Sequence, residues 1–310
     1  MKIVPPAPVR IRLRDVGALL KTTFTSWLDD YAPSMGAALA YYTIFSIAPL
    51  LLIVISLAGL VFGAEAVRGE IVGQLAGLMG ETSARAIEDL LRSVSAPSDN
   101  IPATLLGLLL LLIGATTVFG ELQDALNRIW RSPQRTVRGG LLHLLRTRLL
   151  SFGMILGIGF LLMISLVLSA AVAALGRWWG PLFAEWEMLA RLIDLVLGFG
   201  MSTAVFALIY KLMPRVVISW RDVLVGALVT AFMFTLGKHL IGLYIGTSGV
   251  TSAFGAAGSL VVVLVWVYYS AQIFLLGAEF TWAYAHAWGS LRDLAPLAEP
   301  PQTHDPTNQL

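Results

Sequence analysis

The sequence contains no cysteine and few charged residues. Only 13% of its 310 residues are Asp, Glu, Lys or Arg, whereas soluble domains average about 25%. The absence of cysteine excludes disulfides, thiol nucleophiles and cysteine metal sites. The low charge, together with 57% hydrophobic residues, excludes an ordinary soluble domain and indicates a protein that crosses a membrane several times.

Motifs of the common enzyme classes are also missing. The four histidines are scattered, and the chain has no HExxH metal motif, no phosphate-binding P-loop and no Gly-x-Ser-x-Gly elbow. We therefore expect a protein that is not an enzyme, with no catalytic residue, no metal and no other cofactor. The missing P-loop also disfavours an ATP-driven pump.

Long apolar segments predict the fold. The stretch from Met35 to Phe62 has no charge, and at about 1.5 Å per helical residue it can cross a hydrocarbon layer of about 30 Å. Its polar residues and Pro49 need protein partners, because an unsatisfied polar group in lipid is costly. The sequence predicts an all-α integral membrane protein with six transmembrane helices and short interfacial amphipathic helices. The predicted spans are 35–62, 101–120, 149–175, 192–213, 222–245 and 259–283.

These spans divide the chain into an amino-terminal segment (1–33), a six-span membrane domain (34–289) and a disordered cytoplasmic tail (290–310). Apolar residues recur at near-helical spacing from Val16 to Tyr31, which predicts an amphipathic helix before the first span. That helix either lies in the membrane interface or packs on the cytoplasmic ends of the bundle. Two short surface helices, interrupted at Gly80, are expected between the first and second spans.

The distribution of Lys and Arg predicts the orientation. Fifteen of these residues lie in the amino-terminal segment, the tail and the connections on the same side, and five lie on the other side. The positive-inside rule places both termini in the cytoplasm. Six Arg residues between positions 128 and 148 could also be interpreted as a nucleic-acid patch, but topology explains them, and we expect no nucleic-acid partner.

Ionisable residues within predicted spans are functional candidates, because each is costly in lipid unless it is paired or wetted. Lys238 lies beside His239 toward the outer half of the fifth span, and Glu279 lies toward the cytoplasmic side of the sixth. Their depths predict two separate ion-pair layers. Lys238 is expected near Asp194, and Glu279 is expected near Lys211, Arg215 or Arg221.

Gln272 and Glu279 are seven residues apart and so share one face of the sixth helix. Two interpretations of this face remain open. It is either a polar track facing a substrate cavity or a buried face held by interhelical hydrogen bonds. The candidates for a substrate path are Tyr41, Tyr42, Ser46, Pro49, Lys238, His239, Tyr244, Tyr269, Gln272 and Glu279.

Three stretches resemble the YihY family, also called the virulence factor BrkB family. They are GAALAYYTIFSIAPLLLI in the first span, WRDVLVGALVTA at the start of the fifth, and SAFGAAGSLVVVLVWVYYSAQIFLLGAEFTWAYA in the last. The resemblance covers residues 15 to 290 and implies a bacterial inner-membrane protein with six spans. It also implies a link to envelope lipid handling. Some members carry an old label as ribonuclease BN, yet this chain lacks the ligands that such hydrolysis needs.

The leading hypothesis is a secondary transporter or flippase for an envelope lipid or lipopolysaccharide precursor. Spans one, five and six would form its groove, with Lys238 holding phosphate and Glu279 acting as a gate or proton-coupled group. The alternative is a scaffold that organises envelope-biogenesis proteins, and a membrane-bound ribonuclease is a distant third. Transport predicts a polar cavity reaching the midplane, a scaffold predicts a dry bundle, and a nuclease requires a cytoplasmic metal site. Membrane lipids are the expected partners, and the sequence leaves the oligomeric state open.

Overall fold

The computed structural model describes residues 13–95, 117–132, 186–247, 254 and 258–292. Within these ranges the regular structure is helical, and no strand is present. The helices are α1 (Leu13–Asp29), α2 (Ala32–Phe62), α3 (Ala64–Met79), α4 (Glu81–Ser95), α5 (117–129), α6 (Trp186–Leu212), α7 (Trp220–Thr247) and α8 (Gly258–Ala287).

Three helices of the described residues are long and apolar enough to cross a membrane. They contribute the segments Leu195–Leu212, Trp220–Ile245 and Leu260–Ala287. α2 makes a fourth if its two parts, which meet at a bend of 41° between residues 48 and 50, form one span. Pro49 lies at that bend, as expected for a residue that lacks a backbone N–H donor. The chain is therefore an all-α membrane protein.

The remaining predicted spans fall outside these helices. The predicted segment 149–175 lies outside the described residues, as does 101–120 except for its last four residues, which belong to α5. The predicted total of six spans therefore stays a prediction.

α8 is the central helix of the described bundle. α2 and α7 both pack along it, α6 packs on α7, and α1 packs on α8, where Leu19 and Thr22 line a pocket together with Ala283, Ala287 and Trp288. The main core forms where these helices meet, around residues such as Tyr210, Leu275 and Ala278. Groups that project from α8 therefore meet other helices on several sides.

The α7–α8 contact is close because glycine alternates with hydroxyl residues across it. A Cβ at position 226 of α7 would lie 2.7 Å from Cβ of Thr281, and one at position 277 of α8 would lie 2.8 Å from Cγ2 of Thr230 on α7. Such distances exist only where the side chain is absent. Small residues at crossing points allow this approach in membrane helices, where van der Waals packing drives association.

α3 and α4 form a hairpin over one end of α2 and α8. Gly63 and Gly80 supply the left-handed backbone at its two turns, with φ of 85° and 84°. α4 buries Ile87 and Leu91 against α2 and Val263 of α8, and its exposed face carries i,i+4 ion pairs such as Arg85–Glu81 at 2.7 Å. The two surface helices predicted on either side of Gly80 are confirmed.

α1 carries apolar residues on a buried face and on an exposed face. It packs on α8 through a buried face that includes Leu19. Leu20, Phe24 and Leu28 recur every four residues on another face and are exposed. The helix therefore packs on the bundle, which is one of the two arrangements predicted from the sequence. A second apolar stripe faces away from the bundle.

Candidate functional site

Glu279 on α8 is the most unusual group in the described part of the chain. It is 0% exposed, and neither of its carboxyl oxygens has a hydrogen-bond partner among the described residues. A buried, unpaired carboxylate is costly in any protein interior and more so within a membrane. The groups that face Glu279 therefore decide its state.

Asp30, in the turn between α1 and α2, faces Glu279. The two carboxyls lie close enough to influence each other's protonation, yet no well-formed hydrogen bond joins them, and Oδ2 of Asp30 is also buried without a partner. Burial raises the pKa of Asp30 above its ordinary value of 3.8, an effect opposed by its interactions with Glu279, Arg131 and Arg128. Two carboxyls from distant parts of the chain thus share one buried space.

Two arginines from the end of α5 border this pair. The guanidinium carbon of Arg131 lies 4.4 Å from the ring centroid of Trp282, one helical turn beyond Glu279. That of Arg128 lies 5.6 Å from the ring centroid of Tyr31. Cation–π contacts of this kind hold a guanidinium over an aromatic face, so the rings of Trp282 and Tyr31 hold both positive charges beside the carboxyls.

The end of α5 is anchored to the connection between α6 and α7. The side-chain amide of Gln123 donates to the carbonyl oxygen of Met213 at 3.0 Å. The backbone N–H of Arg215 donates to Oδ1 of Asn127 at 2.9 Å. Leu126 and Ile129 are fully buried in the main core. These contacts fix the position of the end of α5, and with it the two arginines beside the carboxyls.

The backbone is strained on both sides of the pair. Tyr31 and Arg131 have φ of 58° and 46°, and they are the non-glycine residues with positive φ in the described ranges. The left-handed conformation costs about 1–2 kcal/mol for a residue with a side chain. Such outliers cluster at functional sites, where the surrounding structure imposes them. We call Asp30, Tyr31, Arg128, Arg131, Glu279 and Trp282 the carboxyl site.

A further unpaired acceptor lies on the same face of α8. Gln272 donates from Nε2 to the carbonyl oxygen of Pro33 at 3.4 Å, while its Oε1 has no partner in the described structure. The amide is pressed against Gly36 of α2, where a Cβ would overlap it. The seam between α2 and α8 therefore presents several acceptor oxygens that lack donors.

The partners of Glu279 differ from those expected from depth alone. Neither carboxyl oxygen of Glu279 has a hydrogen-bond partner among the described residues, and the charged groups that act on it are Asp30, Arg131 and Asp29. Lys211, Arg215 and Arg221, which were expected beside it, are not among them. The ammonium group of Lys211 donates to the carbonyl oxygen of Ile218 and lies 5.5 Å from the ring centroid of Trp220. The α1–α2 turn and the end of α5, rather than the α6–α7 connection, supply the charged groups beside Glu279.

The predicted substrate-path residues fall into separate groups. Gln272 lies at the α2–α8 seam, and Ser46 is fully buried on α2. On α7, Lys238 is half-buried, whereas His239 and Tyr244 are exposed. Tyr41 is exposed on α2 beside Tyr42 and Phe45. Tyr269 approaches Gly237 of α7. The side chains of Pro49 and Asp194 lie outside the described part of the structure, so the Lys238–Asp194 pair stays a prediction.

Lys238 and the carboxyl site are at different depths. Gly237 faces Ile273 of α8, six residues before Glu279, which corresponds to about 9 Å along a helix. The structure therefore does not join the cation on α7 to the carboxyl on α8 in one cluster.

Sequence reasoning identified Glu279 and missed the residues around it. Asp30 and the two arginines lie in or beside turns, where charges are ordinary, and far from Glu279 along the chain. One weak signal existed, because Asp29 and Asp30 directly precede the span that begins near Pro33. Nothing in the sequence distinguishes the half-buried Asp30 from the exposed Asp29.

Comparison with known proteins identifies relatives across most of the chain. The profile of the family described as "Virulence factor BrkB" matches residues 23–302. A UPF0761 membrane protein of Azotobacter vinelandii is 29% identical over 261 residues, which cover 83% of this chain and 60% of the relative. One from Pseudomonas aeruginosa is 29% identical over 257 residues, covering 81% and 59%.

A third relative, the UPF0761 membrane protein of Alcanivorax borkumensis, is 27% identical over 278 residues, covering 89% of this chain and 62% of the relative. The chain thus spans about three fifths of the length of the curated relatives it matches. No solved structure matches it.

Proposed function

This chain belongs to the virulence factor BrkB family, and from that premise and the carboxyl site we propose that it is a transporter or flippase for an amphipathic envelope lipid. In this proposal it lies in the bacterial inner membrane with six spans and both termini in the cytoplasm. Substrates in this class include phospholipids and lipopolysaccharide precursors. No catalytic step, cofactor or nucleic acid takes part.

The buried Glu279 facing Asp30 is the observation that supports transport. A static bundle gains nothing from two carboxyls whose oxygens lack donors, since apolar residues of similar volume are usually as stable or more so. Ionisable groups buried in membrane proteins typically mark ion or substrate pathways. Strained backbone on both flanks of the pair, at Tyr31 and Arg131, fits a part of the molecule that changes conformation.

The outer face of α7 supports an amphipathic substrate. Leu228, Phe232, Leu236 and Leu240 recur every four residues and are exposed. At about 100° per residue, His239 falls on the same face of the helix, whereas the half-buried Lys238 falls on a different one. An imidazole on an apolar stripe, with a lysine next to it in the sequence, offers phosphate recognition and acyl-chain contact together, as a phospholipid requires. In the proposal, Lys238 holds the head group while the carboxyl site at the other depth acts as the gate.

A scaffold for envelope-biogenesis proteins is the second candidate, and one observation favours it. The α7–α8 contact at Gly226, Gly237 and Gly277 is tight, as expected for helices that do not separate. The tight contact predicts helices that stay together, whereas the carboxyl site predicts a bundle that changes conformation. The two are compatible if α7 and α8 move as one rigid unit against α2.

Lipid translocation in proteoliposomes tests the proposal. The purified protein is compared with Glu279→Gln, which keeps the side-chain shape, with Lys238→Ala, and with Asp124→Asn as a control on the exposed face of α5. Transport predicts that a fluorescent phospholipid or lipopolysaccharide precursor moves between leaflets with the parent and the control, and at least tenfold more slowly with Glu279→Gln. Absence of movement for every lipid, with correctly folded parent protein, would favour the scaffold.

A further inference from the structure

We propose that Asp30 and Glu279 form a single proton-binding site, in which one proton is shared between the two carboxyls and is released to water when the site opens. The proton site would act as the gate of the proposed transporter, so this inference rests on the proposed function. The proton itself is a property of the folded protein and is measured without transport.

The hydrogen-bonding inventory of the site calls for a donor. Three buried oxygens, Oδ2 of Asp30 and both carboxyl oxygens of Glu279, lack partners among the described residues. All three accept hydrogen bonds when the carboxyls are ionised, and none can donate. One added proton converts one carboxyl into a donor that faces an acceptor, so a single ligand satisfies both groups.

A count of the charges around the pair also calls for one added proton. Arg131 acts on both carboxyls, and Arg128 acts on Asp30. Asp29, which is exposed beside the site, adds a negative charge that opposes Arg128. Three carboxylates against two guanidinium groups leave one negative charge uncompensated. One proton removes it.

Among the residues that the structure describes, Asp29, Arg128 and Arg131 are the other charged groups that act on the pair. α7 meets this part of α8 at Gly226, opposite Thr281. His286, farther along α8, stacks on Trp282 with ring centroids 4.5 Å apart, and its Nδ1 bonds the carbonyl oxygen of Trp282 at 2.9 Å. The groups that set the protonation of the pair are therefore Asp29, Arg128 and Arg131.

A proton fits the site better than a metal cation does. No group of three or more His, Cys, Asp or Glu side chains that could hold a metal ion is present in the described ranges. Sodium and calcium require several oxygen ligands around the ion, and the guanidinium of Arg131 repels a second cation. When the proton leaves, Arg131 remains as the positive charge for both carboxylates.

Infrared difference spectroscopy measures this proton directly. The full chain in nanodiscs is stepped through pH in potassium buffer, and the C=O band of protonated carboxyl groups is recorded. Uniform labelling with ¹³C-Asp or with ¹³C-Glu identifies the residue types that carry the proton without any substitution. We expect one protonated carboxyl group per chain, whose C=O band persists at pH values at which ordinary carboxyls are already ionised. Each of the two labels should shift part of that band in frequency.

The variants test whether the two groups act as one site. Glu279→Gln should abolish the band, and Asp30→Asn should move its midpoint by at least about one pH unit, as for strongly coupled sites. Asp124→Asn should leave it unchanged. A band that responds to one label alone, or that keeps its midpoint in Asp30→Asn, would overturn the shared proton.

A final arm distinguishes the proton from sodium. The titration is repeated with sodium in place of potassium, and an unchanged midpoint is the expected result. A midpoint that falls as sodium rises would overturn the proposal in favour of a metal-cation site. Transport that fails while the band behaves as expected would refute the proposed function and leave the proton site intact.

Discussion

Replacing Gly277 with alanine tests the close contact between α7 and α8. The new Cβ would lie 2.7 Å from the hydroxyl of Tyr210 and 2.8 Å from Cγ2 of Thr230, and it would overlap Oγ1 of Thr230. These atoms are not free to withdraw. The Tyr210 hydroxyl donates to the carbonyl oxygen of Phe274 at 2.7 Å, and Thr230 Oγ1 donates to the carbonyl oxygen of Gly226 at 2.7 Å.

Overpacking a well-filled core by a methyl group costs about 1–3 kcal/mol. Against this, alanine in a helix is favoured over glycine by about 1 kcal/mol. Gly198 on α6 is the matched control, because no atom lies within 4 Å of its would-be Cβ. Gly198→Ala therefore reports the helix preference alone. The difference between the two variants isolates the overlap, and we expect Gly277→Ala to be less stable by about 1–3 kcal/mol.

Reversible unfolding in mixed micelles, followed by circular dichroism, gives both free energies. Adding Thr230→Ala to Gly277→Ala removes two of the three overlapping atoms and should recover part of the loss. Equal stability of Gly277→Ala and Gly198→Ala would refute the packing described for α7 and α8.

Three further predictions concern single groups. Tyr210→Phe should lower the free energy of unfolding by about 1 kcal/mol, the usual size of a hydrogen bond between membrane helices. Asp222→Ala should lower the free energy of unfolding by about 2–3 kcal/mol. The carboxylate of Asp222 is 3% exposed and accepts hydrogen bonds from the backbone N–H and the hydroxyl of Ser290 at 3.0 and 2.6 Å. Proteolysis after α8 should also accelerate in this variant. The raised pKa of Asp30 contributes stability at low pH that is lost as the pH rises from 3.8 through the folded-state pKa, and the difference in thermal unfolding between the parent and Asp30→Asn should follow that direction.

Much of the helical layout follows from the sequence. The charge-free run 35–62 lies within α2 because the spans need apolar residues throughout, and Gly63 ends that helix in a conformation that suits glycine. The predicted spans 222–245 and 259–283 lie within α7 and α8 for the same reason. α6 extends over Trp186–Leu212 and so includes residues before 192, where the predicted span begins.

The site was harder to predict because its partners come from turns. Glu279 is conspicuous in a span, where any carboxyl is costly. Its neighbours depend on how the α1–α2 turn and the end of α5 fold over α8, and left-handed residues such as Tyr31 and Arg131 have no sequence signature. Depth arguments gave Lys211 as a partner, but its flexible stem lets the ammonium group reach the carbonyl oxygen of Ile218 instead.

The central claim is that Asp30 and Glu279 act as one functional site. A double-mutant cycle on lipid translocation tests it most directly, with initial rates measured for the parent, Asp30→Asn, Glu279→Gln and the double variant in the same proteoliposomes. Residues that act as a unit are strongly non-additive, so we predict that the double variant is no slower than the slower single variant. Rates that fall by the product of the two single effects, or a single variant that transports like the parent, would contradict the account.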